Sequence, residues 1–270
     1  MTDAHPPIDA IVLAGDRGRD DPLAVAAEVA GKALVPVAGV PMLTRVLASL
    51  GRWQRLGRLI LVAQERDDYR AAVADAGFDS RIDLRWMKPA ASLIDSVETA
   101  LSATASECRI LLTADHALLR TRWLDDLLGR AMNQPAALSV GLADWHSVMR
   151  RFPNSRRTRY RFRDASVCGT NLFVLKNDPD VLNILYTWRK AEQNRKKPWR
   201  IVSLLGWSNL GLYLSGRLTL ERAFSALSAR VGCAVQPVAM DDPLTAVDVD
   251  TPADLELVER VLRADEDQRC

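Results

Sequence analysis

An apolar run, Asp9-Ala10-Ile11-Val12-Leu13, opens into Ala14-Gly15-Asp16-Arg17-Gly18, and Gly31-Lys32 follows after a stretch from Arg19 to Ala30. Small residues at the end of a strand let backbone N–H groups approach a phosphate chain closely. Arg17 and Lys32 add fixed positive charge beside them. The chemistry that suits such a loop is the cradling of a triphosphate. It is not the P-loop pattern, because no Gly-Lys-[Ser/Thr] directly opens a helix.

A second constellation is Leu111-Leu112-Thr113-Ala114-Asp115, an acid at the C-terminal end of an apolar strand. In open α/β sheets ligands sit at that edge. A carboxylate there can hold Mg²⁺, which prefers oxygen ligands, or it can cap a turn. Asp248 and Asp250 alternate along Ala246–Asp250, so on a strand both would point to one face. Between Trp145 and Arg163 there are seven arginines and no acid. Guanidinium forks suit phosphate, which makes Arg157 and Arg159 candidates for an acceptor phosphate, and on a strand Arg157, Arg159, Arg161 and Arg163 would share one face; the alternative is a solvated basic face. Cys168 reads as a packed thiol rather than a nucleophile. His5, His116 and His146 are too dispersed for a metal site, and the simpler account of His116 is a surface histidine.

The elements that must position these residues follow from periodicity. The first half alternates strands and helices: strands at Asp9–Ala14, Arg58–Gln64, Asp83–Met87 and Cys108–Thr113, helices at Met42–Gln54, Asp67–Ala76, Ser92–Ser102 and Thr121–Met132. Near-continuous apolar strands argue for a mostly parallel sheet covered on both faces. The second half is less regular, with strands expected at Ala136–Leu142, within Thr158–Lys176, at Val235–Met240 and at Ala246–Asp250. Helices are expected at Asp178–Asn194, Ile201–Ser215, Thr219–Arg230 and Pro252–Arg263. A length of 270 residues is ample for one α/β domain, with an inserted acceptor or lid region at about 145–235. Net charge of +2 gives no global case for nucleic acid. The four scattered cysteines form no C-x-x-C pair and suit a reducing compartment. Met1–Pro7 does not read as a signal peptide, and the expectation is a cytoplasmic protein. Trp188 to Tyr213 interleaves tryptophan with basic residues, the pattern of a helical lid or of a peripheral membrane contact.

The opening block resembles the N-terminal signature of the MobA-like NTP transferases, of the nucleotide-diphospho-sugar transferase (GT-A) superfamily. The match rests on Leu13-Ala14-Gly15, Arg17, Gly31-Lys32 and Pro36-Val37-Ala38-Gly39-Val40-Pro41-Met42-Leu43. Asp115 matches the acid of the family's Gly-Asp-x-Pro motif. Asp248-Val249-Asp250-Thr251-Pro252-Ala253-Asp254-Leu255 resembles its closing segment. The resemblance implies a Rossmann-like mixed, mostly parallel sheet with helices on both faces. It implies Asp115 and Asp250 as Mg²⁺ ligands, with Asp248 behind or in place of the latter. It puts Leu13, Ala14, Gly15, Asp16, Gly18 and Lys32 on the nucleotide, and the turn Ala90-Ala91 with Ser96 near its base and ribose. Cys168-Gly169-Thr170-Asn171 is similar to a family strand near the acceptor, which adds Thr170 and Asn171 to the acceptor side.

The reaction implied is transfer of an NMP from an NTP, CTP or GTP, to a small phosphorylated acceptor, with Lys32, Arg17 and Asp115 as catalytic residues, Mg²⁺ as cofactor and pyrophosphate released. Two other classes share the fold. A glycosyltransferase using a nucleotide sugar often carries Asp-x-Asp at a strand end, whereas Asp115-His116-Ala117 lacks the second acid. A nucleotide-binding regulator without turnover is the other.

Overall fold

The computed structural model describes residues 7–15, 21–78, 82–104, 106–192, 202 and 205–267. They fall into two compact units, Met1–Leu124 with Val247–Cys270, and Asp125–Ala246.

In the first unit four strands form a parallel ladder: β1 (Ile8–Leu13), β4 (Leu56–Val62), β5 (Asp83–Met87) and β6 (Cys108–Thr113), in the order β6-β1-β4-β5. Every residue of β1 is buried, as expected for a central strand with both faces covered. The register places Leu13 beside Val62 and Thr113, and Val62 beside Met87. The carboxyl ends of all four strands are therefore level. The chain runs outward from β1 to β4 and β5, then returns to β6 on the other side of β1. The topological switch point, where such sheets open a crevice, lies between β1 and β6.

The segment between β1 and α2 (Met42–Arg52) carries most of the departure from a simple βα unit. Asp21 caps a short helix α1 (Pro22–Ala26), accepting from the N–H groups of Leu23 and Ala24, with Pro22 at the first helical position. Leu23 and Ala24 are buried, so part of the Arg19–Ala30 stretch is packed structure. A 3-10 turn, Lys32–Leu34, comes next. The hairpin β2 (Pro36–Val37) and β3 (Val40–Pro41) then turns through Ala38 and Gly39, both at positive φ, the demand of a type I′ turn. Helices α3 (Asp67–Ala74), α4 (Leu93–Ser102) and α10 (Pro252–Asp267) complete this unit, and α5 (Thr121–Met132) follows β6.

In the second unit β7 (Leu138–Asp144) pairs in parallel with β10 (Val235–Met240) and antiparallel with β9 (Ser166–Lys176), which also carries β8 (Tyr160–Arg161). Among the described ladders β1–β4, β1–β6, β4–β5 and β7–β10 are parallel and β2–β3, β7–β9 and β8–β9 antiparallel, the mixed, mostly parallel class expected from the sequence. The helices here are α6 (Trp145–Arg151), α7 (Val181–Glu192), α8 (Trp207–Leu214) and α9 (Leu220–Val231). Val202, Leu218 and Ala223 form a small core with Phe162, Leu205, Leu212 and Tyr213 against it.

Three local expectations are corrected. Ala246–Asp250 is not a strand: a 3-10 turn covers Pro243–Ala246 and no ladder pairs the residues after it. The alternation that suggested a strand is still present, since Val247 and Val249 are fully buried while Asp248 and Asp250 are not. Helix α6 has no counterpart in the sequence reading; Asp144 caps it by accepting from Ser147 N–H at 2.7 Å. Of the run Arg157 to Arg163, only Tyr160–Arg161 is strand, so the four alternate arginines do not share one strand face.

Candidate active site

Asp115 leaves the end of β6 beside the switch point. Its Oδ1 accepts a hydrogen bond from Thr113 Oγ1 at 2.5 Å, and its Oδ2 accepts one from Lys32 Nζ at 2.7 Å. The same ammonium donates to Asp250 Oδ1 at 2.5 Å. Residues 83 and 218 positions apart from Lys32 thus meet at one nitrogen. Val249 N–H donates to Asp115 O at 3.1 Å, which stitches the 247–250 segment to the end of β6 and explains how it is held without a ladder.

Asp250 is aimed from the other side by helix α10. Asp254 Oδ2 accepts from Thr251 N at 3.0 Å, from Thr251 Oγ1 at 2.7 Å and from Asp250 N at 3.4 Å. Thr251 Oγ1 in turn accepts from Asp254 N. This is a capping box with an acid at its third position. It gives Asp254, the acid in the first turn of α10, the further task of fixing the backbone that presents Asp250. Thr113 has no role in the sequence reading, and its only signal there is the spacing Thr113-x-Asp115.

Electrostatics follow from these contacts. Burial raises the cost of charging Asp115, but the Lys32 ammonium, the Thr113 hydrogen bond and His116 outweigh it and hold its carboxyl below the usual range. Burial likewise opposes the charge on Lys32, and the two carboxylates outweigh it, so its ammonium is held more firmly than an ordinary lysine's. Asp115, Asp248 and Asp250 each offer an oxygen within 4.8 Å of the others. An octahedral Mg²⁺ with bonds of about 2.0–2.1 Å puts neighbouring ligand oxygens about 3 Å apart and opposite ones about 4.2 Å apart. Three hard carboxylate oxygens within 4.8 Å of one another are close enough to converge on such an ion with small side-chain shifts.

The phosphate-loop candidates flank this cluster along the strand ends. Ala114 N–H donates to Leu13 O at 3.0 Å and Ala14 N–H to Val62 O at 2.9 Å, which carries the ladder into the loop. Leu13 and Ala14 are buried and Gly15 is exposed. Gly15 lies against the ring of Pro89: a Cβ on it would stand 2.9 Å from Pro89 Cγ. Its lack of a side chain is what lets this loop and the 88–90 turn approach. Ser96 braces that turn from behind, buried, donating to Ser92 O and accepting from Ala90 N–H, each at 2.9 Å. Ala90 and its turn are thus held in place by Ser96. Ser92 caps α4 through Asp95 N–H. Asp16, Arg17 and Gly18 lie outside the described residues.

His116 is fully buried, with its ring 5.8 Å from Trp123, so the surface reading is corrected. The remaining candidates belong to the second unit. Arg159 stacks 4.4 Å over the Trp145 ring and donates to Ser166 Oγ at 2.9 Å. Arg157 donates to Ser155 Oγ. Thr170 is buried and its hydroxyl donates to Gly141 O at 2.9 Å. Asn171 adopts φ of 54° where the β7–β9 register shifts, a bulge. Cys168 is buried beside Ala143 O. In the interleaved segment Trp188 packs on Phe173 at 4.8 Å and Trp207 is 86% exposed; residues 193–201, 203 and 204, and with them Trp199, lie outside the described residues. No helix among the described residues is long and apolar enough to cross a membrane.

With Lys32, Asp115 and Asp250 together at the switch-point edge, the comparisons with known proteins give the family. Residues 10–166 match the MobA-like NTP transferase domain, and the chain belongs to that family. A hypothetical transferase structure from Thermus thermophilus is similar at 27% identity and a TM-score of 0.73, over 92% of this chain and 99% of that one. A CMP:2-keto-3-deoxy-manno-octonic acid synthetase complexed with CTP shares the fold at 15% identity and a TM-score of 0.58, over 97% and 100%. A 4-diphosphocytidyl-2C-methyl-D-erythritol synthase from Anaerococcus prevotii does so at 14% and 0.53, over 96% of each chain. No curated protein matches the sequence.

Proposed function

We propose that this chain is a Mg²⁺-dependent nucleotidyltransferase that moves an NMP from an NTP, CTP or GTP, to a small phosphorylated acceptor. The observation that carries the reading is the meeting of Lys32 with Asp115 and Asp250 at the ends of β1 and β6. In the reaction an acceptor oxygen attacks the α-phosphorus, the α–β phosphoanhydride bond breaks and pyrophosphate leaves. No covalent enzyme intermediate is required, so the protein contributes positioning and charge neutralisation. Asp115 and Asp250, with Asp248 beside them, would hold Mg²⁺, which when bound neutralises charge on the phosphates. Backbone groups of Leu13–Gly15 would line the triphosphate, with Lys32 and Arg17 supplying positive charge to the leaving oxygens. The Ala90 turn would border the nucleoside. Arg157 and Arg159 are offered to an anionic acceptor, with Asn171 near the bulge.

Pyrophosphate release from a panel of NTPs, with and without phosphorylated acceptors, tests this. The expected result is acceptor-dependent release that falls at least a hundredfold in Lys32→Ala and in Asp115→Ala. Unchanged rates in both variants, or turnover of nucleotide sugars in place of NTPs, would reject it.

A further inference from the structure

The Lys32 ammonium sits at hydrogen-bond distance from two of the three carboxylates that would bind the divalent ion, 2.7 Å from Asp115 and 2.5 Å from Asp250. An ammonium and a divalent ion held by the same two carboxylates would lie within a few ångströms of each other and repel. We infer that Lys32 is the internal counter-cation of the metal-free site, and that a divalent ion and the Lys32 ammonium compete for Asp115 and Asp250. This deepens, and rests on, the nucleotidyl-transfer reading of the same pocket.

The consequence is an ordered assembly. Without metal, the Lys32 ammonium compensates Asp115 and Asp250, two of three acids within 4.8 Å of one another. Entry of the ion frees the ammonium, which is then available to an incoming polyphosphate. Lysine suits this exchange because its charge sits on a long, flexible stem with three rotatable donors. Metal bound alone is therefore weak, and metal with NTP is strong, because the NTP gives the displaced ammonium a new partner. The coupling is reciprocal: whatever factor NTP adds to metal affinity, metal adds to NTP affinity.

Mn²⁺ serves as the probe. Its binding to the nucleotide-free full chain is followed by electron paramagnetic resonance, in wild type and in Lys32→Met. The expected result is Mn²⁺ binding at least tenfold tighter in Lys32→Met. Equal or weaker binding, in a wild-type protein that still releases pyrophosphate from NTP, would overturn the competition and leave the proposed reaction standing. No Mn²⁺ binding by either protein, with no turnover, would overturn both. If Lys32→Met does not fold, acetylation of Lys32 in the wild type, followed by mass spectrometry, decides. Mn²⁺ should raise the acetylation rate at least threefold, with other lysines unchanged; an unchanged rate at Lys32 would overturn the proposal.

Discussion

Removing Lys32 should destabilise the metal-free protein more than removing the charge of Asp115, and the two effects should not add. Lys32→Met removes the cation that bridges Asp115 and Asp250, in a cluster of three carboxylates within 4.8 Å of one another. Asp115→Asn leaves the ammonium paired with Asp250 at 2.5 Å. A unit-charge pair about 4 Å apart at an effective dielectric near 20 is worth about 4 kcal/mol before desolvation. Truncating one partner of a fully buried pair costs about 3–5 kcal/mol. Here the Lys32 and Asp115 side chains are 22% and 16% exposed, and Asp250 is 47% exposed, so the values belong at the lower end: about 2–3 kcal/mol for Lys32→Met and about 1 kcal/mol for Asp115→Asn. Both single variants and the double variant are melted in EDTA and again in millimolar Mg²⁺. In a domain of this size about 1 kcal/mol moves Tm by about 2–4 °C. The cycle should show coupling of about 1–2 kcal/mol in EDTA, and Mg²⁺ should restore most of what Lys32→Met lost. Additivity within about 0.5 kcal/mol, or no rescue by Mg²⁺, would refute the picture of one ammonium compensating one acid cluster.

Gly15→Ala should lower stability by about 1–3 kcal/mol and weaken NTP binding measured by calorimetry, because its Cβ would press on Pro89 at 2.9 Å; adding Pro89→Ala should relieve the stability loss. Asp254→Ala, which strips Thr251 and Asp250 of their common acceptor, should cost about 1–2 kcal/mol on the scale of a lost cap and reduce Mn²⁺ affinity without touching the ion. The Asp115–Lys32 pair should leave stability flat between about pH 5 and 10. Asp115 is held below its ordinary 3.8, so its contribution is present above that value and lost as pH falls through the lowered one. Lys32 is held above its ordinary 10.5, so its contribution is present below that value and lost only as pH rises through the raised one. Urea melts across pH check this, with Asp115→Asn expected to shrink the loss on the acid side.

The first half of the fold was legible because β1, β4 and β6 are largely apolar and mostly buried, while β5 at the sheet edge has no buried residue yet keeps its span. Cys108–Thr113 and Asp83–Met87 occupy the spans read from the sequence, as does helix Thr121–Met132. The convergence of Lys32, Asp115 and Asp250 was legible only as a demand, since it depends on strand order and on the capping box of Thr251 and Asp254. The 247–250 segment imitates a strand in its alternation, yet its backbone is tied to Asp115 O through Val249 N–H and to the helix that follows through Asp250 N–H. Helix α6 was hidden because Trp145–Arg151 is dominated by basic and polar residues, with Val148 its one buried position. Thr170 illustrates a different limit. Type and place suggest a ligand contact, but its hydroxyl is used across the β7–β9 bulge, and nothing in the residue order reveals that.

The most direct measurement of the central assignment is a crystal structure of the chain with CTP or GTP and Mn²⁺, with anomalous data at the manganese edge. The expected result is a peak coordinated by Asp115 and Asp250, the triphosphate along Leu13–Gly15, and the Lys32 ammonium moved from the acids to a phosphate oxygen. A nucleotide bound elsewhere, or no manganese on these carboxylates while Lys32 still bridges them, would contradict it.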